Sequence, residues 1–176
     1  HGLSFCPKKT NALLFTRKTV DTDALPHLQM YGQNVPNVTS TKLLGVTLDR
    51  KLSWGPHINN KIAACKRALM QLRPILRKTW SPKPKHTRWL YEGVIVPMLT
   101  YGSVVWASAT HTITMQKRLS TLQRLGLTSI TSVRRSTPTA SLEIIYNMPP
   151  LHLLIQERAL NTILRLNNLH EALWHP

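Results

Sequence analysis

The chain has 176 residues, enough for one sizeable core. It is strongly basic, with 23 Lys and Arg against 7 Asp and Glu, a net charge of +16 and a pI of about 10.7. An apolar content of 42% excludes disorder through low hydrophobicity, and two widely separated cysteines, Cys6 and Cys65, exclude a disulfide scaffold and a thiolate-rich zinc site.

The first fifty-odd residues read as a small β-rich region. Ala12-Leu13-Leu14-Phe15 is a short apolar run, Leu28 to Tyr31 alternates, and Leu43 to Leu48 is an apolar segment ended by Asp49, with Pro26, Gly32 and Pro36 between them. From Pro56 the period becomes that of a helix. Ile58, Ile62, Cys65, Leu69, Leu72 and Leu76 share one face, with a stop or kink expected at Pro74. A second helix is expected over 85–106, bent at Pro97, with Leu90, Val94, Met98, Tyr101 and Val105 inward. Met115, Leu119, Leu122 and Gly126 mark a third helix. Thr137-Pro138-Thr139 reads as the cap of a fourth carrying Leu142, Ile145 and Tyr146, and Pro149-Pro150 precedes a fifth through Leu151, Ile155, Ala159, Thr162 and Leu166. Residues 167–176 read as a linker or frayed tail. The fold class is therefore α+β, strands first and then a helical bundle.

No apolar run reaches the roughly 18–20 residues that span a bilayer, and the best stretch, Gly93 to Ala107, is interrupted by Pro97. The chain opens on His1 without a basic-then-apolar leader, which reads as an internal piece of an intracellular polypeptide, nuclear or cytoplasmic and not secreted.

The chemistry is one-sided. The seven acids are scattered except for Asp21 and Asp23 in a polar stretch, so no carboxylate set for a two-metal site is visible, and the eight histidines lack ligand spacing. No glycine-rich phosphate loop or nucleophile elbow occurs. Between Arg50 and Tyr91, by contrast, stand eleven Lys and Arg with no acid, where an ordinary solvated helix would mix signs to gain i,i+4 pairs. At about 100° per residue, Lys66, Arg73 and Arg77 fall within roughly 40° of one another, off the apolar stripe. They form one ridge suited to phosphates. Trp54, Trp80 and Trp89 interleave with these charges and suit stacking on bases or sugars, or packing at a bundle end.

Several segments resemble the reverse transcriptases of non-LTR retrotransposons of the jockey-like and related lineages. GLSFCPKKTNALLF is similar to the end of the polymerase palm, and KLLGVTLDRKLSWGPHI to the hairpin and thumb start that follow. RWLYEGVIVPMLTYGSVVW and LSTLQRLGLTSITSVRRSTPTASLEIIYNMPPLHLLI are similar to the helical thumb and a connector toward a ribonuclease H domain. The resemblance implies a division into 1–55, palm end and primer-side β-hairpin; 56–110, thumb helices; and 111–176, helical connector. It implies that Lys9 lies near the incoming nucleotide as a proton donor to the pyrophosphate leaving group. It also implies that Lys42, Leu44 and Gly45 steady the primer end and that Lys61, Lys66, Arg73, Arg77 and Lys78 track the template-primer duplex. The family pattern has Asn at the position of Cys6. The catalytic aspartates and their Mg²⁺ belong to the parent polymerase outside this stretch, so the piece alone binds no cofactor and is not expected to polymerise DNA. Its partners would be an RNA/DNA duplex and the remaining domains of the same polypeptide, with no membrane. The alternative is a catalytically dead, stand-alone nucleic-acid-binding module or degenerate transposon remnant.

Overall fold

The computed structural model describes residues 5–20, 25–77, 84–131, 133 and 136–174. The chain divides into two units, His1–Ile58 and Asn59–Pro176. The first holds six short strands, β1 (Ala12–Leu13), β2 (Leu28–Met30), β3 (Gln33–Val35), β4 (Asn37–Val38), β5 (Ser40–Leu43) and β6 (Val46–Asp49). β1 pairs in parallel with β4, and β2–β3 and β5–β6 are antiparallel hairpins. Both hairpins close on two residues of positive φ, Tyr31-Gly32 (50° and 71°) and Leu44-Gly45 (47° and 83°), the turn that matches the twist of the flanking strands. The apolar run at Leu43 to Leu48 is thus folded back on itself, with Leu43 opposite Val46.

Asp49 organises the exit from β6. One carboxylate oxygen accepts from Ser53 N at 3.0 Å and Ser53 Oγ at 2.9 Å, the other from Trp54 N at 3.0 Å, and Leu52 N bonds Asp49 O at 2.9 Å. This holds Leu52 (φ 48°) and Trp54 (φ 62°) in the left-handed region that side chains disfavour. Burial alone would raise the Asp49 pKa, but these hydrogen bonds to the anion outweigh it and bring it below its ordinary value. Helix α1 (Gly55–Arg77) follows. At its start, buried His57 accepts from Thr47 N through Nδ1 at 3.0 Å.

The second unit is helical: α2 (Pro84–Leu90), α3 (Val96–Thr100), α4 (Ser103–Trp106), α5 (Ile113–Thr131), α6 (Thr139–Ile145) and α7 (Leu151–Trp174). Its core combines Ile62, Cys65 and Leu69 of α1 with Tyr91, Ile95, Leu99 and Trp106, Leu119, Leu122 and Leu127 of α5, and Leu151 and Ile155 of α7. The strands-then-helices order expected of the α+β class is the one observed. Ile58, Ile62, Cys65 and Leu69 are buried as their spacing predicts.

Several local expectations are corrected. α1 continues through Pro74 to Arg77, so the helix does not stop there. The 85–106 stretch is not one helix. Between α2 and α3 lies a wide π turn, Tyr91–Ile95, in which Val96 N–H reaches back to Tyr91 O. Pro97, whose ring would crowd a carbonyl one turn earlier, follows it directly in the first turn of α3. The chain breaks instead at Gly102, φ 68°, before α4. The buried side is accordingly Tyr91, Ile95 and Leu99, while Val94, Tyr101 and Val105 face solvent. Pro138 occupies the N-cap of α6 itself, with no side-chain cap. Residues expected to fray after Asn167 continue α7 to Trp174.

Among the described residues no single helix is long and apolar enough to cross a membrane. The bent pair Arg88–Thr100 and Ser103–His111, 54° apart, reaches that length and composition together, but Leu99 and Trp106 are spent in the protein core.

Candidate nucleic-acid interface

α1 buries Ile58, Ile62, Cys65 and Leu69 and carries its basic residues at positions off that stripe. All 23 of its residues include five Lys and Arg and no acid. Lys66 is half-buried and Arg67 exposed. Arg73 and Arg77 follow Lys66 at +7 and +11 and so return to its side of the helix; their side chains, like all of Lys78 and Trp80, lie outside the described residues. Lys61 lies about 140° around the helix from Lys66. Its ammonium donates to Met98 O at 3.2 Å and sits 4.7 Å from the centre of the Tyr101 ring, joining α1 to the α3 region. Arg88 pairs with Glu92 at 2.8 Å, and Trp89 is 70% exposed.

In the first unit Lys42 is exposed on β5 opposite Thr47, and Gly45 forms the hairpin turn with Leu44, which is 85% exposed. Lys9 ends a 3₁₀ turn, Pro7–Lys9, and is exposed. The structure thus brings Lys42 and Gly45 together on one hairpin and Lys66 with the positions of Arg73 and Arg77 on one helix.

A feature that sequence reasoning missed lies between α1 and α5. Asn59, Ile62, Ala63 and Lys66, at i, i+3, i+4 and i+7 on α1, face Arg118 and Thr121 of α5 across a cavity of about 350 Å³. Arg118 Nη1 donates to Asn59 Oδ1 at 2.7 Å across it. α5 contains Lys117, Arg118 and Arg124 and, like α1, no acid. That absence was the available signal, masked because α5 carries only three charges in 19 residues.

Cys65 and Tyr91 of the helical core are held protonated. Burial pushes the Cys65 thiol up to about 11 despite nearby Lys61, and burial, with smaller contributions from Cys65 and Glu143, raises Tyr91 strongly. Among the described residues no group of three His, Cys, Asp or Glu is placed to hold a metal ion. Asp49 directs both oxygens at the backbone and hydroxyl of the following turn.

Comparison with known proteins gives relatives of one kind. The 115 kDa protein of the type-1 retrotransposable element R1DM of Drosophila melanogaster is 30% identical over 128 residues, 73% of this chain and 12% of that protein. The Retrovirus-related Pol polyprotein from type-1 retrotransposable element R1 of Nasonia vitripennis is 26% identical over 155 residues, 86% of this chain and 46% of its own length. This chain is a partial homologue of the non-LTR retrotransposon Pol proteins. The RNA-directed DNA polymerase from mobile element jockey of Drosophila melanogaster is also similar, 27% identical over 152 residues, 83% of this chain and 16% of that polymerase. The Pol homologue thus spans less than half the length of each of these relatives. No family model and no solved structure matches it.

Proposed function

We propose that this Pol homologue is the duplex-holding part of an RNA-directed DNA polymerase. One observation carries the reading: α1 buries an apolar stripe, yet its remaining sides carry five cations without one acid over 23 residues. A helix that only needed solubility would intersperse carboxylates for i,i+4 pairs. A helix that tracks a phosphate backbone gains from excluding them, because every neutralised phosphate releases counterions.

In this reading residues 1–55 are the palm end and primer-side hairpin, 56–110 the thumb and 111–176 a connector. Lys66, Arg73, Arg77 and Lys78 follow the backbone of an RNA/DNA duplex, and Lys61 sets the pitch of the helix by holding it to α3. Lys42 and Gly45 approach the primer end, and Lys9 protonates the leaving pyrophosphate. Mg²⁺ and the catalytic carboxylates are supplied by the rest of the polypeptide, which is also the chain's protein partner.

The test is binding of a hybrid duplex as a function of salt. With about five phosphates neutralised, log K against log salt has a slope near −5, and Lys66→Ala or Arg73→Ala each reduces its magnitude by about one while weakening all sequences alike. Arg165→Ala, an exposed change on α7, leaves binding unaltered. Equal losses at all three positions mean that diffuse charge suffices and the helix is no interface.

A further inference from the structure

We propose that the cavity between α1 and α5 seats the sugar–phosphate backbone of one strand of the bound duplex, with Arg118 and Lys66 as its phosphate ligands; this rests on the duplex-binding reading above. The cavity is amphipathic in the way such a segment is. Its α1 wall has Ile62 and Ala63, an apolar patch for the sugar face, and Lys66 one turn further on supplies a cation. Its α5 wall supplies Arg118 and the Thr121 hydroxyl.

Arg118 is already oriented. Its Nη1 is held by Asn59 Oδ1 at 2.7 Å, which fixes the guanidinium at the cavity wall without neutralising it, since an amide oxygen carries no charge. A guanidinium tethered through one N–H keeps donors for a phosphate and loses less conformational freedom on binding. Charge complementarity selects the occupant. Neither helix contributes an acid in 23 and 19 residues respectively. A carboxylate-free cleft of about 350 Å³ matches the small end of ligand pockets, roughly 300–1,000 Å³. α5 is then a second wall of the duplex track rather than a connector alone.

The experiment measures hybrid-duplex affinity for the full chain, four new variants and Arg73→Ala, each checked by circular dichroism and melting temperature. Ala63→Trp fills the cavity without changing charge and is expected to weaken binding about tenfold; Gln71→Trp, an exposed α1 change outside the cavity, is expected to have no effect. Arg118→Ala is expected to weaken binding about tenfold and to reduce the salt slope by about one. Arg118→Lys retains the charge and recovers part of the affinity, which also covers the case of a misfolded alanine variant. A photo-crosslinker at Thr121 is expected to label the nucleic acid strand. If Ala63→Trp and both Arg118 variants bind as tightly as the unaltered chain while Arg73→Ala remains weak, the cavity is not occupied although the duplex reading stands. If none of these variants loses affinity, both fail.

Discussion

Leu44 occupies the first central position of the β5–β6 turn at φ 47°, with a side chain 85% exposed. This conformation costs an L-residue about 1–2 kcal/mol, and Asn-Gly is the pair that such turns favour. Leu44→Asn is therefore expected to raise unfolding stability in urea by about 1 kcal/mol, and an unchanged or lower midpoint would show the turn to be unstrained. A simultaneous loss of duplex affinity would place the leucine at the primer. Asp49 carries the opposite case. Its pKa is lowered in the folded chain, so its contribution is complete above the ordinary value of 3.8 and lost as pH falls through the folded value. Asp49→Asn cannot accept at both positions and is expected to cost about 1–3 kcal/mol at neutral pH. Its stability should then change less than that of the unaltered chain between pH 5 and pH 2.5. Parallel pH curves would mean that other carboxylates govern acid unfolding.

The helices are fitted by two glycines of different kinds. A β-carbon at Gly126 of α5 would run into Cε2 of Tyr91, whereas one at Gly93 meets nothing within 4 Å. Tyr91 opens the π turn that precedes Pro97, so α5 can approach closely only where the widened turn presents its ring to a residue without a side chain. Gly126→Ala is expected to destabilise by about 1–3 kcal/mol. Gly93→Ala is expected to be neutral or up to about 1 kcal/mol stabilising. The order of melting temperatures checks both, and a Gly126→Ala chain melting with the unaltered one would mean that the π turn yields. Gln123 of α5 fits the next joint: buried, it donates to Pro149 O at 2.9 Å and accepts from Leu151 N at 2.7 Å, satisfying the start of α7.

Across the whole molecule a net charge of +16 opposes compaction, because like charges are closer in the folded state than in the unfolded chain. Raising salt from about 0.05 to 0.5 M, through the range in which the Debye length falls from above to below roughly 10 Å, is expected to raise the melting temperature while weakening duplex binding. The two readouts should move in opposite directions in one titration. If salt lowers the melting temperature, favourable ion pairs outweigh the repulsion.

The α+β order, the α1 stripe and the acid-free basic run were legible in the sequence, because periodicity and charge are local properties that survive without a partner. Ile58, Ile62, Cys65 and Leu69 could be assigned to the core from spacing alone. The 85–106 stretch could not be oriented that way: it is apolar on more than one side, so only the packing of Tyr91 against Gly126 and the π turn before Pro97 decided that Ile95 and Leu99, not Val94 and Val105, would be buried. The same limit applied to the charges. Lys61 and Lys66 are the same residue type five positions apart, yet Met98 O and the Tyr101 ring engage one and the α1–α5 cavity takes the other. Arg118 joined that cavity from 52 positions beyond Lys66, a distance that no local pattern spans and that only helix packing brings together.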